Sequence, residues 1–171
     1  RYIGRIVNST FTLDSVTYHL MPNTDTHCAH GGDPGFASKI WQGEQLDENA
    51  LKLSLFSPDG ENGFPGNLRV HVIFVLTKDN ELDIHYEAET DKPTVINLSH
   101  HSFFNISGDF NTTVEDQSLY INADMYTPYD SLKCVTGEIL PVAGTPFDFT
   151  TPHVIGERID EDVMQLNIVK G

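Results

Sequence analysis

Basic residues are scarce in this sequence: 10 Lys and Arg stand against 25 Asp and Glu, giving a formal net charge of −15 over 171 residues. Such a chain repels phosphate backbones and gains nothing from anionic lipid surfaces, so neither nucleic acid nor a membrane is expected as a partner. Long apolar runs are also missing. The longest uninterrupted one, Val72 to Leu76, falls far short of the roughly 20 residues that a membrane-spanning helix requires, and no basic-then-apolar leader is read at the start. Cysteine is limited to Cys28 and Cys134, too few for a disulfide framework in a chain able to build its own core, so both are read as thiols. A 39 % apolar share supplies that core and excludes disorder.

Several catalytic signatures are absent as well. The sequence has no Gly-x-Ser-x-Gly elbow, no Gly-rich phosphate loop ending in Lys-Ser/Thr and no Gly-x-Gly-x-x-Gly fingerprint. The many Asp and Glu nominate no pair for glycoside cleavage, because most fall on alternating outward faces or in turns. Sequons at Asn8, Asn97, Asn105 and Asn111 would matter only in a eukaryotic secretory setting and leave the compartment open.

What is present is strand signal. Leu68, Val70, Val72, Phe74 and Leu76 alternate with Arg69, His71, Ile73 and Val75, the period of a strand. The turn Lys78-Asp79-Asn80 follows. Then Leu82, Ile84, Tyr86 and Ala88 alternate with Glu81, Asp83, His85, Glu87 and Glu89, which predicts an antiparallel hairpin with one acidic, solvated face. Weaker strands are predicted over 6–13, 16–20, 51–56, 94–98 and 118–122, bounded by Gly, Pro, Asn and Asp. The one helical turn expected lies between Ile155 and Met164, with Asp160, Glu161 and Asp162 in its first turn. The fold class is therefore all-β, a sandwich-type architecture with no repeat or linker dividing the chain.

Histidine carries the chemistry. His27 and His30 lie in Thr-His-Cys-Ala-His-Gly-Gly, and His100 and His101 in Asn-Leu-Ser-His-His-Ser-Phe-Phe-Asn. Imidazole titrates nearest neutral pH, so a positioned His suits proton transfer. His71, His85 and His153 read as structural hydrogen-bonding residues. Zinc held by His27, Cys28 and His30 is the competing reading. Against it, adjacent strand residues such as His100 and His101 would project to opposite faces, and no second ligand pair completes a shell.

These residues fall into ordered motifs. Arg1-Tyr2-Ile3-Gly4-Arg5-Ile6, His30-Gly31-Gly32 with Gly35-Phe36 and Trp41, and Ser57-Pro58-Asp59-Gly60-Glu61-Asn62-Gly63-Phe64-Pro65-Gly66-Asn67-Leu68 come first. Asn97-Leu98-Ser99-His100-His101-Ser102-Phe103-Phe104-Asn105 follows, then Thr136-Gly137-Glu138-Ile139 and Gly144-Thr145-Pro146-Phe147-Asp148-Phe149. Together they resemble, in order and spacing over nearly the whole chain, the aldose 1-epimerases, the galactose mutarotase family. The resemblance implies a large antiparallel β-sandwich, here a partial copy, that holds sugar on a concave face and needs no metal or organic cofactor.

It also implies an activity, the interconversion of α and β anomers of hexoses such as glucose and galactose by acid/base ring opening and reclosure. By the same resemblance His101 is the acid, His30 hydrogen-bonds the sugar near its ring oxygen, and Arg5 holds sugar hydroxyls. Gly4, Ser102 and Phe103 are carried over as substrate-contacting positions. Gly4 stands where many members have Asn, His100 where Asn is common, and Phe103 where Tyr is common. The general-base Glu is expected downstream of Gly171, because Val169-Lys170-Gly171 resembles the approach to a Gly-Tyr-Asp-His-Asn motif. Residues 1–171 are accordingly expected to be the central part of one domain, truncated at both ends, with the remainder of that domain as a second fragment; a degenerate relative or a non-catalytic sugar-binding module is the alternative. The small-molecule partner is a sugar, and the expected compartment is the cytoplasm.

Overall fold

A computed structural model describes residues 1–169; Lys170 and Gly171, and with them most of the Val169-Lys170-Gly171 motif, lie outside the described residues. The chain forms two compact units, residues 1–99 and 100–171. No helix among the described residues is long and apolar enough to cross a membrane.

The first unit holds strands β1 (Arg5–Ile6), β2 (Thr10–Leu13), β3 (Val16–His19), β4 (Cys28–Ala29), β5 (Gln42–Asp47), β6 (Ala50–Ser57), β7 (Leu68–Leu76) and β8 (Leu82–Thr90). The last four form an antiparallel sheet in the order β5-β6-β7-β8. The predicted hairpin is its β7–β8 pair, in register from Leu68 opposite Thr90 to Leu76 opposite Leu82. Alternation explains the result. Leu68, Val70 and Val72 point to one face and form a buried cluster, against which Phe36, Trp41, Phe74, Ile84 and Leu98 pack. On the opposite face Arg69 lies opposite Glu89, a cross-strand neighbour of opposite charge, and His71 lies opposite Glu87.

A second cluster joins Ile6, Leu20, Cys28 and Phe64. The Arg1 guanidinium, itself buried, runs beside Phe64 at 5.8 Å and donates to Ser57 Oγ (3.0 Å) and to the carbonyls of Pro65 (2.9 Å) and Gly66 (2.8 Å). Those carbonyls belong to the Ser57–Leu68 motif, whose turns leave backbone acceptors that need a donor.

Three predicted segments differ from the structure, and one strand has no counterpart among the predicted ones. The run 6–13 is broken, because Asn8 and Ser9 take positive φ (52° each) and make a 3₁₀ turn between β1 and β2. Segment 94–98 forms no strand, only a parallel bridge from Asn97 to Tyr2. Helix α1 spans Met164–Val169, after the predicted 155–164, which holds a 3₁₀ turn at Ile155–Glu157 instead. Asp160 to Asp162 thus precede the helix. And β5 was not foreseen, since its Gln-Gly-Glu-Gln-Leu-Asp sequence is exposed throughout and carries no alternation.

The second unit contains only two-residue strands: β9 (Ser118–Leu119), β10 (Met125–Tyr126), β11 (Leu140–Pro141) and β12 (His153–Val154). They pair as β10–β11 and β12–β9, both antiparallel. The predicted strand 118–122 is realised only at its first two residues.

Candidate functional site

Gly4, Arg5 and His30 are brought together by the pairing of β1 with β4, which sets Arg5 opposite Ala29. Gly4 enters β1 and His30 leaves β4, so they meet at the end of the ladder. They are tied reciprocally: His30 N–H donates to the Gly4 carbonyl (2.9 Å), and Gly4 N–H donates to His30 Nδ1 (3.3 Å). With Nδ1 accepting, the neutral imidazole carries its proton on Nε2, which gives the ring a donor on its far side.

Both strands are anchored by asparagines, of which Asn23 lies outside every motif. Asn23 clamps Ala29, accepting from its N–H (2.7 Å) and donating to its carbonyl (3.0 Å). Asn97 accepts from Ile3 N–H at its own carbonyl (2.8 Å) and donates from Nδ2 to the Ile3 carbonyl (3.0 Å). Asn62 donates to the carbonyls of Gly31 (2.9 Å) and Pro34 (3.0 Å), holding the turn that follows His30. Asparagine at a loop position flanking each motif was the available signal, since its amide can replace a missing ladder bond.

Two glycines explain why the chain can make this corner. Gly31 has φ +86°, and a Cβ there would sit 2.8 Å from the Arg1 backbone nitrogen. Gly4 has φ +93° with no heavy atom within 4 Å of a Cβ position. An Asn side chain would therefore have room, at the cost of a backbone conformation that L-residues rarely adopt.

His27 and Cys28, the other members of the zinc reading, point to structural roles. His27 is buried and its Nδ1 accepts the Asn8 N–H (2.9 Å), which occupies one ring nitrogen in the turn between β1 and β2. Cys28 belongs to the Phe64 cluster, and burial pushes its thiol above the ordinary range. Among the described residues no group of three or more His, Cys, Asp or Glu is placed to hold a metal ion. Cys28 and Cys134 are both buried thiols.

His101, Ser102 and Phe103 open the second unit, on a stretch outside every helix and strand. The argument that His100 and His101 face opposite ways along a strand therefore does not hold. Instead His101 packs against Phe103, ring centroids 5.0 Å apart, while His100 packs edge-on against Phe104 at 5.9 Å. Ser102 donates its N–H to His100 Nδ1 (3.2 Å). Of the histidines read as structural, His71 shares a 2.8 Å hydrogen bond with Ser54, and His153 lies between Thr151 (3.2 Å) and Glu157 (3.1 Å).

Comparison with known proteins bears on these residues as a set. A family model described as aldose 1-epimerase matches residues 1–169. The chain is 38% identical over 161 residues to galactose mutarotase of Homo sapiens, covering 94% of this chain and 46% of that protein. It is equally 38% identical over 162 residues to aldose 1-epimerase of Escherichia coli strain K12, covering 95% and 46%. A crystal structure of galactose 1-epimerase from Lactobacillus acidophilus superposes with a TM-score of 0.90 at 32% identity, over 100% of this chain and 51% of the other. The chain thus spans about half the length of the curated relatives it matches.

Proposed function

This chain belongs to the aldose 1-epimerase family, and from that premise we propose that it serves the interconversion of the α and β anomers of a hexose such as glucose or galactose, with His101 as general acid. The reaction needs a proton removed from the C1 hydroxyl and another delivered to the ring oxygen. The ring opens to the aldehyde, the C1–C2 bond rotates, and the hydroxyl recloses on the other face. One acid and one base suffice.

The observation that carries the reading is the placement of the Gly-Arg and His-Gly-Gly segments on paired strands, with Gly4 and His30 bonded to each other. In the proposal His30 offers its Nε2–H to an oxygen of the sugar, and the Arg5 guanidinium holds two hydroxyls in one orientation through its planar fork. His101 is proposed to give its proton to the ring oxygen, with Ser102 and Phe103 as the substrate-contacting positions that follow it in the chain. No residue of this chain is assigned as the base; a carboxylate outside these residues is proposed for it. The net charge of −15 favours neutral hexoses over phosphorylated ones. Cytoplasmic placement is part of the proposal and accords with two cysteines that form no disulfide.

Magnetisation exchange between the α and β anomeric protons of D-galactose tests the activity at equilibrium. With acetate supplied as the base, faster exchange with protein present than with acetate alone is the expected result. Saturable binding with unchanged exchange would establish instead the second reading, a sugar-binding module, which the missing side chain at Gly4 and the unassigned base favour. Arg5→Ala should raise KM with a smaller effect on kcat; an unchanged KM would remove Arg5 from the site.

A further inference from the structure

The segment that carries His101 lies outside every helix and strand, so something other than a ladder must set the direction of its imidazole. The bond from Ser102 N–H to His100 Nδ1 bears on the backbone that carries it. Its acceptor sits on the residue before His101 and its donor on the residue after, so closing it fixes the backbone of the one residue enclosed. The His100 ring is in turn held edge-on by Phe104, at 82° and 5.9 Å, while the His101 ring rests on Phe103. Two interleaved His–Phe pairs thus flank one short side-chain turn.

We propose that His100 is a positioning residue for His101: its Nδ1 closes the turn that presents the acid. The proposal rests on the reading of His101 as the acid and goes beyond it by naming what orients that group. An acceptor nitrogen at Nδ1 requires the tautomer protonated at Nε2. An Asn at position 100 could make the same closure, because its Oδ1 accepts the N–H two residues on in an Asx-turn. Alanine offers no acceptor there, and lysine offers only donors.

The experiment uses the ¹³C,¹⁵N-labelled chain and its His100→Ala, His100→Lys and His100→Asn variants, with the methyl signals of Val72 and of Val142, buried in the first and second units respectively, as the check that each is folded. Wild type is expected to show His100 protonated at Nε2, from its imidazole nitrogen shifts. His100→Ala and His100→Lys should speed exchange of the Ser102 amide roughly tenfold, the loss of one hydrogen bond, and should average the His101 ring signals. His100→Asn should bring Ser102 exchange back to within about twofold of wild type and keep the His101 signals in place. A proton on Nδ1 of His100, unchanged Ser102 exchange in His100→Ala, or failure of Asn to restore it would each overturn the proposal. Absence of anomer exchange in wild type with acetate supplied as the base would overturn the function of His101 while leaving the Ser102 result to decide the turn, so the two failures are separate.

Discussion

Residues 1–99 bury Phe64, Leu68 and Val70 completely and extend β7 and β8 to nine residues each. Residues 100–171 contain strands of two residues and leave Phe103, Ile106 and Phe110 at 88%, 81% and 97% exposure. In the first unit, position is set by long ladders and the cores beneath them. In the second the ladders are two residues long, and local side-chain bonds add to them: Asn105 donates to the Thr112 carbonyl (2.9 Å), and Asn111 N–H donates to Asp109 (2.9 Å). The candidate site residues divide along the same line. Gly4, Arg5 and His30 inherit their geometry from paired strands, whereas His101 depends on its immediate neighbours.

Substitutions can break or sharpen this contrast. Leu68→Ala, at a fully buried position of β7, should cost about 2–5 kcal/mol in chemical denaturation; a loss below about 1 kcal/mol would show that this core does not carry the unit. Asn23→Ala removes both bonds to Ala29 and takes the acceptor from the Ala29 N–H beside His30, while the Ala29 carbonyl keeps the Gly32 N–H (3.0 Å). It should cost about 1–3 kcal/mol and shift the His30 ring resonances, and unmoved resonances would detach the clamp from the site.

Acid should act next. Burial raises the Glu61 carboxyl, but hydrogen bonds from Lys39 and Ser57 outweigh it and hold the group below the ordinary glutamate range. A pKa lower in the folded state means the carboxylate's contribution is full above the ordinary glutamate range and lost as pH falls through the lowered folded value. Stability should therefore decline on that acid limb less steeply in Glu61→Gln than in wild type; identical slopes would contradict the assignment. The smallest effect belongs to Ile106→Ala in the second unit, expected within about 0.5 kcal/mol of wild type. A cost matching that of Leu68→Ala would erase the distinction between the units.

The same division governs how much the sequence reveals. The β7–β8 hairpin is legible because one face is apolar at every second residue, so period and burial coincide. Strand β5 is not, because an exposed edge strand places no demand on alternation. Segment 94–98 has the composition of a strand, yet Asn97 spends its backbone on single bonds to Arg1 and Ile3. Composition does not register that use. The motifs locate Gly4, Arg5, His30 and His101, but the bonds that hold the segments of Gly4 and His30, from Asn23, Asn62 and Asn97, join chain segments that the motifs do not show to be neighbours. Treating His100 and His101 as strand neighbours failed for the corresponding reason: the segment's conformation comes from a side-chain turn.

Polarimetry of freshly dissolved α-D-galactose tests the central claim most directly, comparing wild type, His101→Ala and a no-protein control, all with acetate supplied as an external base. The account predicts acceleration over the control by wild type and its loss in the variant, a proton-transfer role being worth about 10² to 10⁴ in rate. Equal acceleration by wild type and His101→Ala would contradict it.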